Sequence, residues 1–311
     1  MKTAIFATDQ TPIGTHAPAK EISCLSSTGQ QTAQRESVLK TIFHPADFSE
    51  SDQGAFEHAL RLAVATKAQL TLLHAGSDLD SVHWSDFPRV RQTLERWELV
   101  PLSSSARDLA KLGLRIEKIK KAERDPVRAT LDYVVDHRPN LIVLSTHQRH
   151  GLDRWFHKAL AEPIARGAHT LTLFVPRGVP GFVSPQSGSL TLRNILIPVD
   201  SSPNPQHAID VALSIPSLFR CSDVRFNMFH AGSRESLLQV NNAILPGCTL
   251  ETTAWEGDPV DNILAASQAQ EADLIVMATA GHHGFLDALR GSTTERLVRE
   301  SRCPVLAVPI S

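Results

Sequence analysis

Residues 277–294 read MATAGHHGFLDALRGSTT and directly follow the apolar run DLIV. Gly281, Gly284 and Gly291 permit backbone angles that side chains forbid and let a ligand come close to the main chain. Behind them, Ser292-Thr293-Thr294-Glu295 opens a helix predicted to end near Arg302. A helix start presents unpaired N–H groups and the positive end of the dipole, which suits a phosphate. The same residues also fit a helix that satisfies its own donors, because Ser292 and Glu295 have capping-box spacing. Taken alone, the stretch serves either chemistry.

An internal comparison separates the two. Residues 125–144, DPVRATLDYVVDHRPNLIVL, match 258–277, DPVDNILAASQAQEADLIVM, at an offset of 133 that continues to LTLFVP (171–176) against PVLAVP (304–309). Upstream, TIFHPADFS (41–49) matches ILIPVDSS (195–202), and LTLLHAGS (70–77) matches FNMFHAGS (226–233). Matched blocks in the same order mark a tandem duplication of one domain, with a period too long for a solenoid. Opposite Gly281, Gly291 and Ser292 the first half carries Gln148, Lys158 and Ala159; only Gly151, opposite Gly284, is kept. One half therefore folds without the loop chemistry, which favours a ligand in the half that retains it.

Each repeat alternates short apolar runs with helix-period segments, such as Ala55, Phe56, Ala59, Leu60 and Ala63, or Ala208, Ile209, Ala212 and Leu213. Asp125-Pro126 and Asp258-Pro259 read as a cap followed by a first-turn proline. LIVL and LIVM suit central strands covered on both faces. The expected fold class is α/β, two tandem doubly wound, Rossmann-like parallel sheets, with ligands beyond the carboxyl ends of the strands. The expected divisions are a mobile arm at 1–37, a first domain at 38–176, an exposed linker at 177–190 and a second domain at 191–311.

Composition narrows the function. With 31 basic and 33 acidic residues and a net charge of -2, the chain is not built to hold nucleic acid or an anionic membrane by bulk charge. No run approaches a membrane span. Cys24, Cys221, Cys248 and Cys303 lack CxxC spacing, so a reduced, cytoplasmic protein is expected. His147, His150, His157, His282 and His283 lack a companion cysteine or carboxylate at ligand spacing, and read as solvated loop histidines rather than a metal site. His74 and His230 stand at matching strand ends and read as structural. No nucleophile-and-base pattern is present, so dedicated catalysis has little support.

From about residue 38 onward the chain resembles the universal stress protein (UspA) family in its tandem two-domain form. Nucleotide-binding members carry G-x2-G-x9-G-[ST] after the fourth strand; here that register reads Ala278-x2-Gly281-x9-Gly291-Ser292, with alanine in the first position. The resemblance implies ATP or a related adenine nucleotide as ligand, with Mg2+ as an accompanying ion. It assigns Pro198, Val199 and Asp200 to the adenosine side and Ala231 and Met277 to the adenine pocket, while Gly281, Gly291, Ser292, Thr293 and Thr294 hold ribose and phosphates, with Ala278 of the nucleotide site at the first motif position. In the first half Asp47 survives, but Ser145, Gln148, Lys158 and Ala159 replace the motif, so nucleotide is expected in the second half alone. Lys158 is a candidate to seal or neutralise the first pocket. The family also implies pairing of the two domains through their last strands, near Leu171–Val175 and Val305–Val308, with a homodimer and a regulatory protein as further partners. Two alternatives stand beside a stress-linked ATP-binding regulator: a scaffold acting through protein partners without nucleotide, and a slow nucleotide hydrolase.

Overall fold

The computed structural model describes residues 39–78, 80–146, 170–179, 181–236, 244–279 and 292–310. The first repeat contributes β1 (Thr41–Pro45), β2 (Gln69–Gly76), β3 (Arg115–Ala122), β4 (Leu141–Thr146) and β5 (Leu171–Pro176). The second contributes β6 (Asn194–Pro198), β7 (Arg225–Ala231), β8 (Thr249–Trp255), β9 (Leu274–Thr279) and β10 (Val305–Pro309). All ten form one sheet in the order β3-β2-β1-β4-β5-β10-β9-β6-β7-β8. Among the described strands every pairing within a repeat is parallel, and β5 joins β10 antiparallel, with Leu306 opposite Leu173. Each repeat thus has a doubly wound order, and the crevice in which folds of this kind commonly accept ligands lies where the order reverses, between β1 and β4 or between β6 and β9.

Seven described helices, α1 (Gln53–Thr66), α2 (Val90–Arg96), α3 (Ala106–Lys111), α4 (Pro126–His137), α5 (Gln206–Phe219), α6 (Pro259–Ala269) and α7 (Ser292–Glu300), cover the sheet. Their ends follow local chemistry. Asp125 accepts from Val127 N at 3.1 Å and Asp258 from Asp261 N at 3.0 Å, each ahead of a first-turn proline. At the other end, Lys67, Arg138 and Arg220 take left-handed backbone angles and place cations at the negative end of the dipole. Because strand side chains alternate, the sheet has two cores. Ile197, Val276 and Ala278 pack with α1 and α5; Ile275 and Met277 pack with α4, α6 and α7. No described helix is long and apolar enough to cross a membrane.

Of the segment expected to be an exposed linker, Gln186, Ser187 and Ser189 are exposed while other residues are packed. Phe182 and Val183 are buried, Val183 bridges Leu190, and the Trp97 indole donates to Pro185 O at 3.1 Å. Gly and Pro there build tight turns against α1 and α2 rather than a free tether. His58 shows how close the packing is: its ring lies under Gly181, edge-on to Phe182 at 4.6 Å, with Nδ1 2.7 Å from Gly54 O.

Burial pushes His58 down to about 4 from an ordinary 6.5. Between those values the unfolded chain binds more protons, so stability falls as pH drops through that window, by about 3 kcal/mol for a shift of this size. His58→Leu is expected to flatten this acid limb while leaving stability at pH 7.5 equal or higher. Urea denaturation of both proteins at pH 7.5 and pH 5 measures the difference; parallel losses would show that His58 does not titrate in this range.

Candidate functional site

Those of the expected nucleotide residues that are described lie towards the carboxyl ends of the second repeat's strands. Pro198 closes β6, Val199 is buried, and Asp200 begins the exposed turn towards α5. That turn is held from β7: Val199 N donates to Phe229 O at 2.8 Å, and His230 Nδ1 lies 3.1 Å from Val199 O. His74 makes the matching contact in the first repeat, 2.9 Å from Ala46 O. Both histidines therefore lock the backbone just ahead of an aspartate, which gives their recurrence a structural cause.

Ala231 ends β7 half-buried beside this turn. Met277 and Ala278 are adjacent on β9, so their side chains take opposite faces, Met277 towards α7 and Ala278 towards α5. Ser292 is the first residue of α7, Thr293 is half-buried and Thr294 is buried. The buried Thr279 Oγ1, at the end of β9, has no hydrogen-bond partner among the described residues. Gly281 and Gly291, like Gln148, Lys158, Ala159 and the loop histidines, lie outside the described residues. Among those that are described, no group of three metal-ligating side chains occurs. Among the described residues Asp200 has a local role, accepting from Ser201 N at 2.6 Å and Ser201 Oγ at 3.3 Å.

The first repeat's crevice differs in kind. Asp47, the counterpart of Asp200, accepts from Ser49 N at 2.9 Å and is ion-paired with Arg177. The same guanidinium reaches Ser51 Oγ at 2.7 Å and Ser145 Oγ at 3.0 Å. Burial pushes the Asp47 carboxyl up, but the hydrogen bonds from Ser49 and Arg177 outweigh it and hold it below its usual range. Beneath lies a second ionic contact, His44 Nε2 3.3 Å from Asp52 Oδ2, with His44 Nδ1 2.9 Å from Val143 O. Burial disfavours both charges, yet each sustains the other: His44 ends above its ordinary value and Asp52 below. Oδ1 of Asp52 has no hydrogen-bond partner among the described residues.

Arg177, Ser51, Asp52 and His44 did not stand out in the sequence, yet the repeat offsets carry their signal. Arg177 stands opposite Ile310, His44 opposite Ile197 and Asp52 opposite Pro205, so one copy is charged where the other is apolar. The crevice that lost its glycine motif has acquired internal counter-ions. In the second copy the aspartate faces outward without an ion pair among the described residues.

The universal stress protein family model matches residues 39–176 and 227–309. A universal stress protein of Methanocaldococcus jannaschii is 40% identical over 62 residues, 20% of this chain and 36% of that relative. The match thus spans about a third of that relative's length. Two solved structures share the fold across nearly their whole length. One is a universal stress protein from Archaeoglobus fulgidus, with TM-score 0.54 and 16% identity, covering 86% of this chain and 96% of that one. The other, a putative universal stress protein from Pseudomonas aeruginosa, has TM-score 0.53 and 16% identity, with 87% and 93% covered. With its two matched segments, its two doubly wound repeats and more than half its length accounted for, this chain belongs to the universal stress protein family.

Proposed function

We propose that the protein is a cytoplasmic stress-linked regulator that binds ATP or a related adenine nucleotide, with Mg2+ as counter-ion, in the second repeat only. The asymmetry between the two crevices carries this reading. In the first, Arg177 pairs with Asp47 and bonds Ser51 and Ser145; in the second, Asp200 is exposed and Ile310 brings no charge. An outward aspartate can accept from ribose or adenine, and the start of α7 can donate to phosphate oxygens. Asp200, Ala231, Met277, Thr293 and Thr294 lie at one end of one five-stranded unit, which suits a single small ligand. The antiparallel β5–β10 seam uses the last strand of each repeat within one chain, leaving a homodimer or a regulatory protein to other surfaces.

The test is extraction of small molecules from the purified protein, followed by calorimetric titration of ATP into wild type and Gly291→Lys. One site per chain is expected in wild type, weakened at least tenfold in the variant. Equal binding by both would remove the site from the second repeat. No binding by wild type would favour a scaffold that acts through protein partners, and steady phosphate release lost in the variant would favour a slow hydrolase.

A further inference from the structure

The connection between the second and third strands is more than twice as long in the first repeat, residues 77–114, as in the second, residues 232–248. The longer connection builds a cleft of about 630 Å³ against β3, at the edge of the sheet. Its wall is aromatic: Trp84, 56% exposed, stacks at 5.5 Å on the buried Phe87, with Leu109 and Ile116 completing an apolar floor. Its charge is of one sign. Arg89, Arg91 and Lys118 line it, and among the described residues no aspartate or glutamate does. Lys120 adds a fourth cation at the rim, its ammonium 4.7 Å from the Trp84 ring centre.

Lysines on an edge strand commonly serve to discourage pairing with another sheet, and then point their ammonium groups into water. Lys118 does otherwise. It is half-buried, its Nζ lies 5.5 Å from the centre of the Phe87 ring, and burial draws its affinity for a proton down. The fold does not require this arrangement: the β2–β3 and β7–β8 registers place Thr252 opposite the role of Lys118 and Ala254 opposite that of Lys120. A partly desolvated cation above an aromatic floor, beside an exposed indole, is a seat for a flat molecule that carries negative charge.

We propose that this cleft binds a small organic anion with a planar apolar body, an aryl carboxylate, sulfonate or phosphate, its ring on Trp84 and its charge on Lys118. Arg89 and Arg91 widen the positive field at the entrance. The site belongs to the first repeat and is independent of the nucleotide reading for the second.

Titration of the full chain with 8-anilinonaphthalene-1-sulfonate, followed by dye fluorescence, tests it. Saturable binding of one dye per chain is expected, at least tenfold weaker in Trp84→Ala and in Lys118→Met. Lys118→Arg and Trp84→Phe should stay within a few-fold of wild type, and unchanged thermal midpoints show that all variants remain folded. Naphthalene-1-sulfonate should displace the dye whereas naphthalene-1-sulfonamide, of similar shape without the charge, should not. ATP should leave the dye affinity unchanged in wild type and in Gly291→Lys alike. Absence of saturable binding, indifference to Lys118→Met, equal competition by the sulfonamide, or displacement by ATP would each overturn the proposal. A failure of ATP to bind anywhere, with dye binding intact, would touch only the nucleotide reading.

Discussion

Replacing Ile310 by arginine is expected to weaken ATP binding to the second repeat by at least tenfold, a loss of about 1.4 kcal/mol. The two repeats set the residue after the last strand in the same backbone slot: Arg177 N donates to Thr146 O at 2.9 Å, and Ile310 N donates to Thr279 O at 3.1 Å. A side chain leaving either position therefore starts from the same place relative to the last two strands. In the first repeat that start brings a guanidinium onto Asp47 and Ser145. In the second, the corresponding positions are Asp200 and Ala278, so an arginine at 310 should pair with the carboxylate proposed to receive the nucleoside. It would also fill the mouth of the crevice. Ile310→Leu keeps the volume without the charge and should bind ATP within about twofold of wild type. Calorimetric titration of both variants distinguishes them; full affinity in Ile310→Arg would separate the ligand from Asp200.

Replacing Gly188 by valine should cost about 2–5 kcal/mol of folding stability, from two independent sources. Gly188 has φ +64°, a left-handed angle that a β-branched residue resists. A Cβ there would also lie 2.7 Å from Cγ and Cε3 of Trp97, closer than atoms can pack. Neither partner can yield easily, since Trp97 is buried with its indole bonded to Pro185 O, and Gly188 O accepts from Arg61 Nε at 2.6 Å. Gly178→Ala is the matched control: its φ is +72°, but the space around it is open. It should show only the backbone cost, about 1–2 kcal/mol. Chemical denaturation of the two variants reads the difference. Equal losses would mean that the contact with Trp97 contributes nothing.

These two positions also mark where the sequence speaks and where it is silent. The order of strands and helices was legible because its signals are local. Apolar runs such as LIVL and LIVM read as covered strands, and Asp-Pro pairs read as helix starts; both stand where expected. The glycine- and proline-rich stretch 177–190 was legible only in part for a related reason. Turn-forming residues report that the chain bends but not what it bends against, and here it bends against α1 and α2.

By itself the sequence determined the duplication, the alternation of strand and helix, and the difference between a retained and a lost glycine motif. Those properties are written in residue spacing, and the spacing is the same whether or not the chain is folded. The last-strand pairing near Leu171–Val175 and Val305–Val308, expected from the family resemblance, stands as the β5–β10 seam, whereas only the tertiary structure decided that Arg177 neutralises Asp47, 130 residues away. It likewise decided that the long connection of the first repeat walls a cationic aromatic cleft against β3. Each of these depends on which strands become neighbours, and such adjacency is set by burial of whole faces rather than by any local run of residues.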